Sequence, residues 1–118
     1  MYSDKVRELV ADLPNRGRLD DATASYRAEN PVCGDVTELQ LKVDSGRVED
    51  CRFLALGCPA AVASAAALTE LVRGKTVARC RQLSVDGLLD YLGGLPAHKR
   101  HGAELAVEVL RQALASCE

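Results

Sequence analysis

The sequence predicts an α+β domain, a small antiparallel sheet of two or three strands with helices packed on one face. Three observations lead there. Residues 38–43 alternate polar and apolar, Asp44-Ser45-Gly46 is a turn, and Val48 to Leu56 is a second strand, so a β-hairpin stands near the middle of the chain. Helical spacing of apolar residues flanks that hairpin on both sides. Proline and glycine mark the joins at Pro14, Gly57-Cys58-Pro59, Gly74 and Gly93-Gly94-Leu95-Pro96.

Each element has its own signal. Ser3 is a suitable N-cap, and Val6, Leu9, Val10 and Leu13 recur at helical spacing until Pro14 stops the helix. Residues 15–30 read as a polar loop ending in a short strand around Ala24 to Ala28. In the hairpin, Leu39, Leu41 and Val43 share one face, and Cys51, Phe53 and Ala55 share one face of the partner strand. Pro59 suits a first helical turn, and "AAVASAAALTELV" continues that helix to about Val72, with Gly74 as its C-cap. Its small side chains permit close approach to the sheet. A shorter helix runs from about Ser84 to Leu92. A last one runs from about Lys99 or Gly102 to Ala115. No repeat or low-complexity segment appears, and residues 1–118 read as a single domain.

Composition narrows the function. The chain has 118 residues, is 47% hydrophobic and only 3% aromatic, so its core must come from Leu, Val and Ala. A formal charge of -2 with no run of Lys and Arg argues against nucleic acid as a partner. No apolar stretch has transmembrane length, and "MYSDKVRELV" has no signal-like core, so the expected compartment is the cytoplasm. Five cysteines, 33, 51, 58, 80 and 117, are an odd number in such a chain, and a disulfide framework is not expected. Their thiols are left as core filler, metal ligands or nucleophiles.

Hairpin geometry brings two of them together. Cys33 and Asp35 precede the first hairpin strand and Cys58 follows the second, so all three reach the same end of the sheet. Cys58 also stands at a helix N-terminus, which favours a thiolate. Such a cluster of anions calls for a cation, and a metal supplies it. His101, near the start of the last helix, can reach the same end as a fourth ligand. Two cysteines, an aspartate and a histidine suit Zn(II), Fe(II) or an iron–sulfur cluster with mixed ligands. The alternative is that both cysteines are buried small hydrophobes and Asp35 caps a turn. Cys51 reads as core, Cys80 as a structural or incidental residue in a connector, His98 as an exposed loop residue, and Cys117 lies about 20 Å along the last helix from His101.

The segments "YSDKV", "GRLDDA", "NPVCGDV", "FLALGCPAAVASAAALTELVRGKTV" and "LPAHKRH" resemble, in order and spacing, the IscU/NifU-type iron–sulfur cluster scaffold family, from Tyr2 to Leu114. The resemblance implies a non-enzymatic scaffold or carrier that takes sulfur from a cysteine desulfurase, assembles a [2Fe–2S] cluster and passes it to acceptor proteins, with Zn(II) often held in the apo form. It implies Cys33, Asp35, Cys58 and His101 as ligands and Lys99 as the basic residue before the histidine. A separate reading of the residues makes the chain a sulfurtransferase, with Cys58, at its helix N-terminus, the better persulfide acceptor and Cys33 the other. The uninterrupted stretch from Cys58 to His101 resembles the IscU branch and not the zinc-dependent SufU branch. A monomer or weak homo-oligomer is expected. Two features depart from the family. Gly102 stands where its third cysteine follows the histidine, so Gly102→Cys is expected to strengthen cluster retention. Ala97 and His98 replace a proline and a valine of its chaperone-recognition segment, which puts docking of an Hsp70-type chaperone in doubt. The missing thiol also keeps a second reading open: a divergent zinc-binding module, regulatory or sulfur-accepting, that no longer assembles clusters.

Overall fold

The computed structural model describes residues 1–31 and 33–117; Val32, inside the "NPVCGDV" segment, and Glu118 lie outside the described residues. Helix α1 covers Asp4–Asp12. Ser3 caps it, its hydroxyl oxygen accepting from Val6 N at 3.1 Å and its hydroxyl donating to the carbonyl of Leu92. The helix ends because the residue before a proline is disfavoured in the α region. Leu13, ahead of Pro14, turns left-handed at φ 48°.

Three strands follow, β1 Ala24–Glu29, β2 Val36–Asp44 and β3 Arg47–Leu56, antiparallel in the order β1-β2-β3. Val36 pairs with both Glu29 and Leu56, so the first row of the sheet is fixed across all three strands. The expected strand at Ala24 to Ala28 is present and one residue longer. On the inner face Ala24, Leu39, Leu41, Cys51 and Phe53 are buried. The expected faces of the hairpin hold there.

Helices α2 (Pro59–Val72) and α5 (Arg100–Leu114) cover that inner face, and α1 and α4 (Val85–Leu92) pack on α2. Six alanines of α2, at 60, 61, 63, 65, 66 and 67, are fully buried. With no side chain beyond Cβ, α2 can touch the sheet, α1 and α5 at once. Burial of the larger Leu and Val side chains around it supplies the stabilisation, about 1.5–3 kcal/mol for each one fully buried.

The segment expected to be a connector around Cys80 is a short helix, α3, over Val77–Arg81. Thr76 caps it by accepting from Arg79 N at 3.1 Å. Val77 and Cys80, three residues apart, both turn inward, and Cys80 is buried, not exposed. Five residues are too few for apolar periodicity to show, which is why the sequence hid this turn.

The chain between α1 and β1 does structural work. Asn15 to Gly17 lie along the free edge of β3, with Phe53 N donating to Asn15 O at 3.0 Å and Gly17 N to Phe53 O at 2.9 Å. The chain then crosses the outer face of the sheet. Leu19 N donates to Gln40 Oε1 at 2.7 Å, and Arg18–Glu38 and Lys42–Asp21 ion pairs flank the crossing. No helix among the described residues is long and apolar enough to cross a membrane.

Candidate metal centre

One end of the sheet gathers the reactive side chains. The loop from Asn30 to Asp35 joins β1 to β2 and is held by two backbone bonds of 2.7 Å each, Asn30 N to Asp35 O and Gly34 N to Asn30 O. Gly34 has φ 76°, which a glycine adopts without strain. The loop sets Cys33 exposed at the rim and Asp35 beneath it, only 2% exposed. Across the sheet β3 ends at Leu56, Gly57 makes the corner, and Cys58 is the N-cap of α2 with Pro59 in the first turn. Above them α5 brings in His101, half-buried, as its second residue. His98 sits in a preceding 3₁₀ turn, Ala97–Lys99, exposed as expected.

Asp35 is the hub. Its Oδ2 accepts from the Cys33 thiol at 3.2 Å and the Cys58 thiol at 3.6 Å, and its Oδ1 accepts from Cys58 N at 3.1 Å. His101 Nε2 lies 3.4 Å from Oδ2. Burial alone would raise the Asp35 pKa. The donors from Cys33 and Cys58, with the charge of His101 when protonated, outweigh it and hold the carboxyl below its ordinary value. Asp35 is thus an anion at neutral pH, buried and ringed by donors.

Gly57 makes this possible. It adopts φ 138°, and a Cβ there would stand 2.0 Å from Asp35 Oδ1. Sequence reasoning read Gly57 only as the end of a strand. Its second role, leaving room for a carboxylate 22 positions earlier in the chain, carries no local signal.

The donors fit a metal. Ligand atoms of Cys33, Asp35 and His101 all lie within 4.8 Å of one another. Cys58 is not in that group; its thiol reaches Asp35 Oδ2 at 3.6 Å. His101 Nε2 is buried with no hydrogen-bond partner among the described residues. A buried nitrogen left so costs about 1–3 kcal/mol, and coordination of a cation removes that cost. Thiolate, imidazole and carboxylate together suit zinc or iron, not calcium or magnesium.

The other cysteines stand apart from this cluster. Cys51 and Cys80 are buried in the core, and burial pushes both thiols up, with the Asp50 carboxylate adding to the effect at Cys51. Neither is a ready thiolate. Cys117, near the far end of α5, faces Ala113 O at 3.9 Å.

Gly102 bears on one expectation. It is buried, and a Cβ there would meet Ala61 N at 2.9 Å, Ala60 C at 3.0 Å and Ala60 O at 3.2 Å. These are backbone atoms of the first turn of α2, which no rotamer change moves aside. The missing third thiol is therefore not an empty place waiting for a sulfur atom. Helix α5 packs closely on α2 there, and a side chain at Gly102 requires the two backbones to shift slightly before its sulfur can join the site.

Fold and donor set define a class: a three-stranded α+β domain with a cysteine–aspartate–histidine cluster at one end of its sheet. The profile of the NifU-like N terminal domain matches residues 1–118, and the chain belongs to that family. It is 40% identical over 114 residues to the iron-sulfur cluster assembly scaffold protein IscU 1 of Archaeoglobus fulgidus, covering 97% of this chain and 74% of the relative. It is 36% identical over 115 residues to the iron-sulfur cluster assembly scaffold protein IscU of Aquifex aeolicus, covering 96% and 73%. The nitrogen fixation protein NifU of Trichormus azollae is 37% identical, and there the match spans 96% of this chain but 40% of the relative. A crystal structure of the N-terminal part of a NifU-like protein from Brucella abortus superposes with a TM-score of 0.81 at 17% identity, covering 96% of this chain and 91% of that one. That last likeness speaks to the fold alone.

Proposed function

We propose that this protein is an iron–sulfur cluster assembly scaffold that holds a [2Fe–2S] cluster, or its iron, through Cys33, Asp35, Cys58 and His101 and hands it on to acceptor proteins. Family membership and the named role of the relatives support the scaffold reading. The observation that carries the ligand set is the convergence of two thiols and a buried, unpartnered imidazole nitrogen on one buried carboxylate. The role is non-enzymatic: the cluster is cargo, with cysteine desulfurase as sulfur donor and iron–sulfur proteins as recipients.

The side chains suit cargo that must leave. Asp35 accepts from the two thiols and from Cys58 N, which gathers the candidate ligands at one point. As thiol protons leave to solvent, the sulfurs become soft ligands for iron. A hard carboxylate binds iron–sulfide centres less firmly than a third thiolate, which favours release. Cys33, exposed at the rim, is the better placed of the two candidate sulfur acceptors. Its thiolate attacks the outer sulfur of a donor persulfide, forming a Cys33 persulfide and freeing the donor's thiolate. Cys58, half-buried beneath, is the second candidate.

Anaerobic reconstitution with iron and sulfide, followed by mixing with an apo-ferredoxin, tests this reading. The expected result is a visible charge-transfer spectrum that passes to the ferredoxin and that Cys33→Ala and Cys58→Ala each abolish. A colourless protein overturns it. One observation favours a second reading. With the third thiol position closed at Gly102, the four remaining donors also suit a single tightly held zinc ion in a regulatory or partner-binding module. Tight zinc, no cluster and no persulfide after incubation with desulfurase and cysteine would select it.

A further inference from the structure

A cavity lies at the end of the molecule away from the metal centre. Where α2 ends, the chain runs through Arg73-Gly74-Lys75 into α3 and on to the turn before α4. Backbone bonds to Gly46 and Val48 lock this run onto the β2–β3 hairpin, so the hollow it encloses is built into the fold. The hollow has a volume of about 360 Å³. Leu71, Val72, Cys80 and Leu83 supply its apolar wall, and Lys75, Arg79 and Gln82 its polar rim. Val72 and Cys80 are buried, and Leu71 and Leu83 half-buried. A pre-formed hollow of that size, mostly apolar with a few polar groups, is the ordinary form of a small-molecule site. It stands about 20 Å along α2 from Cys58, so a guest there does not touch the centre.

The charges on its rim are unspent. No acid lines the cavity. Where Lys5, Arg18, Lys42 and Arg73 each hold a carboxylate, Lys75 and Arg79 make no ion pair and no side-chain hydrogen bond among the described residues. The carbonyl of Val72 is already engaged, by Lys75 N at 3.1 Å and the Cys80 thiol at 3.7 Å. Burial pushes the Cys80 thiol up, and the Lys75 ammonium is near enough to pull the other way, so its charge reaches the apolar floor. The Arg79 guanidinium is a planar fork that fits a carboxylate bidentately, Lys75 adds a point charge, and the hydrocarbon stems of both extend the apolar wall. A metal cation is repelled by such a rim. A bare inorganic anion meets the rim but leaves Leu71 and Leu83 wet.

We propose that this cavity binds a small amphiphilic anion, a carboxylate carrying a short hydrocarbon body, with its head on Lys75 and Arg79 and its body against Leu71, Val72 and Leu83. Gln82 adds an amide donor at the rim. The site is built by the end of α2, by α3 and by the turn that follows, and uses none of Cys33, Asp35, Cys58 and His101. It is therefore tested on protein free of metal.

The test is amide NMR of the whole chain titrated with sodium octanoate below its micelle-forming concentration. Parallel titrations use octanol, octylammonium, acetate and inorganic phosphate. The expected result is saturable shifts at Leu71, Lys75, Cys80 and Leu83 with octanoate, and far weaker ones with each of the others. Affinity falls at least tenfold in Lys75→Gln/Arg79→Gln and severalfold in Leu83→Ser. It weakens as salt rises from about 0.05 M to about 0.5 M, as screened contacts between exposed charges must. No saturable shift at the cavity, an equal response to octanol or octylammonium, or an affinity indifferent to the two cations overturns the proposal. Acetate or phosphate binding as tightly as octanoate marks a simple anion site and overturns it too. Because Lys75 and Arg79 are exposed, an unchanged amide spectrum elsewhere shows that their variant folds. Cys33→Ala/Cys58→Ala separates this proposal from the scaffold reading: octanoate binding persists there whether or not cluster assembly is lost. Loss of octanoate binding in that variant would put the ligand at the metal centre and overturn the cavity assignment.

Discussion

The two ends of the sheet are closed by different means. At the β2–β3 turn the chain is locked by backbone. Val48 N donates to Lys75 O at 2.8 Å, Gly74 N to Val48 O at 2.7 Å and Val77 N to Gly46 O at 2.8 Å, with Arg47 Nη1 on Gly74 O at 2.6 Å. At the opposite end, β3 and α2 are joined to the β1–β2 loop chiefly through one side chain, Asp35, which accepts from two thiols and a backbone N–H and lies 3.4 Å from the His101 imidazole. Backbone bonds cannot be handed to a ligand without unfolding the join. Thiol-to-carboxylate bonds can, since thiolate and carboxylate are atom types that ligate metals. One end holds the fold, and the other holds its bonds in a form that can be exchanged.

Four substitutions test that contrast, from the largest effect to the smallest. Gly57→Ala puts a Cβ onto Asp35 Oδ1 and strains a residue at φ 138°. It should cost about 2–3 kcal/mol and about 10 °C in Tm, and abolish metal binding, read by thermal unfolding and metal titration. Gly102→Cys should destabilise by about 1–3 kcal/mol by overpacking against the α2 backbone and should shorten, not lengthen, the lifetime of a bound cluster. A longer lifetime at unchanged stability would show that α5 is not seated on α2 as described. Asp35→Asn should weaken zinc affinity at least tenfold. It should also change the acid limb of apo stability. Because the folded-state pKa of Asp35 is lowered, its ionised form adds stability that is complete above the ordinary carboxylate value and fades as pH falls through the folded one. The gap between wild type and Asp35→Asn should therefore be widest near neutral pH and close as pH falls below the ordinary carboxylate range, measured by denaturant unfolding across pH. At the other end Arg47→Ala removes one exposed contact; it should cost below about 1 kcal/mol and leave metal affinity unchanged.

Much of this was legible in the sequence. The strand alternation at residues 38–43, the Ser3 cap and the Pro59 start are local signals, and the structure has each where the spacing puts it. The convergence of Cys33, Asp35 and Cys58 followed from a hairpin alone. Helix α3 was not legible, because a single capped turn has no period to read. Nor were the functions of Gly57 and Gly102. Each leaves room for atoms of a distant segment, Asp35 in one case and the Ala60–Ala61 backbone in the other. Pattern along a chain records what a residue does to its neighbours in sequence, and these two glycines act on neighbours in space. The bonds that Asp35 accepts from Cys58 were hidden for the same reason, since the two residues stand 23 positions apart in the chain.

The central claim is that the exchangeable end, and no other part of the molecule, holds metal. Elemental analysis with a visible spectrum on anaerobically purified protein tests it most directly, comparing wild type with Cys33→Ser/Cys58→Ser and with Cys51→Ala/Cys117→Ser. The account predicts iron with sulfide, or zinc, in wild type and in the Cys51→Ala/Cys117→Ser variant, and none in Cys33→Ser/Cys58→Ser. Metal retained without Cys33 and Cys58, or lost with Cys51 and Cys117, would contradict it.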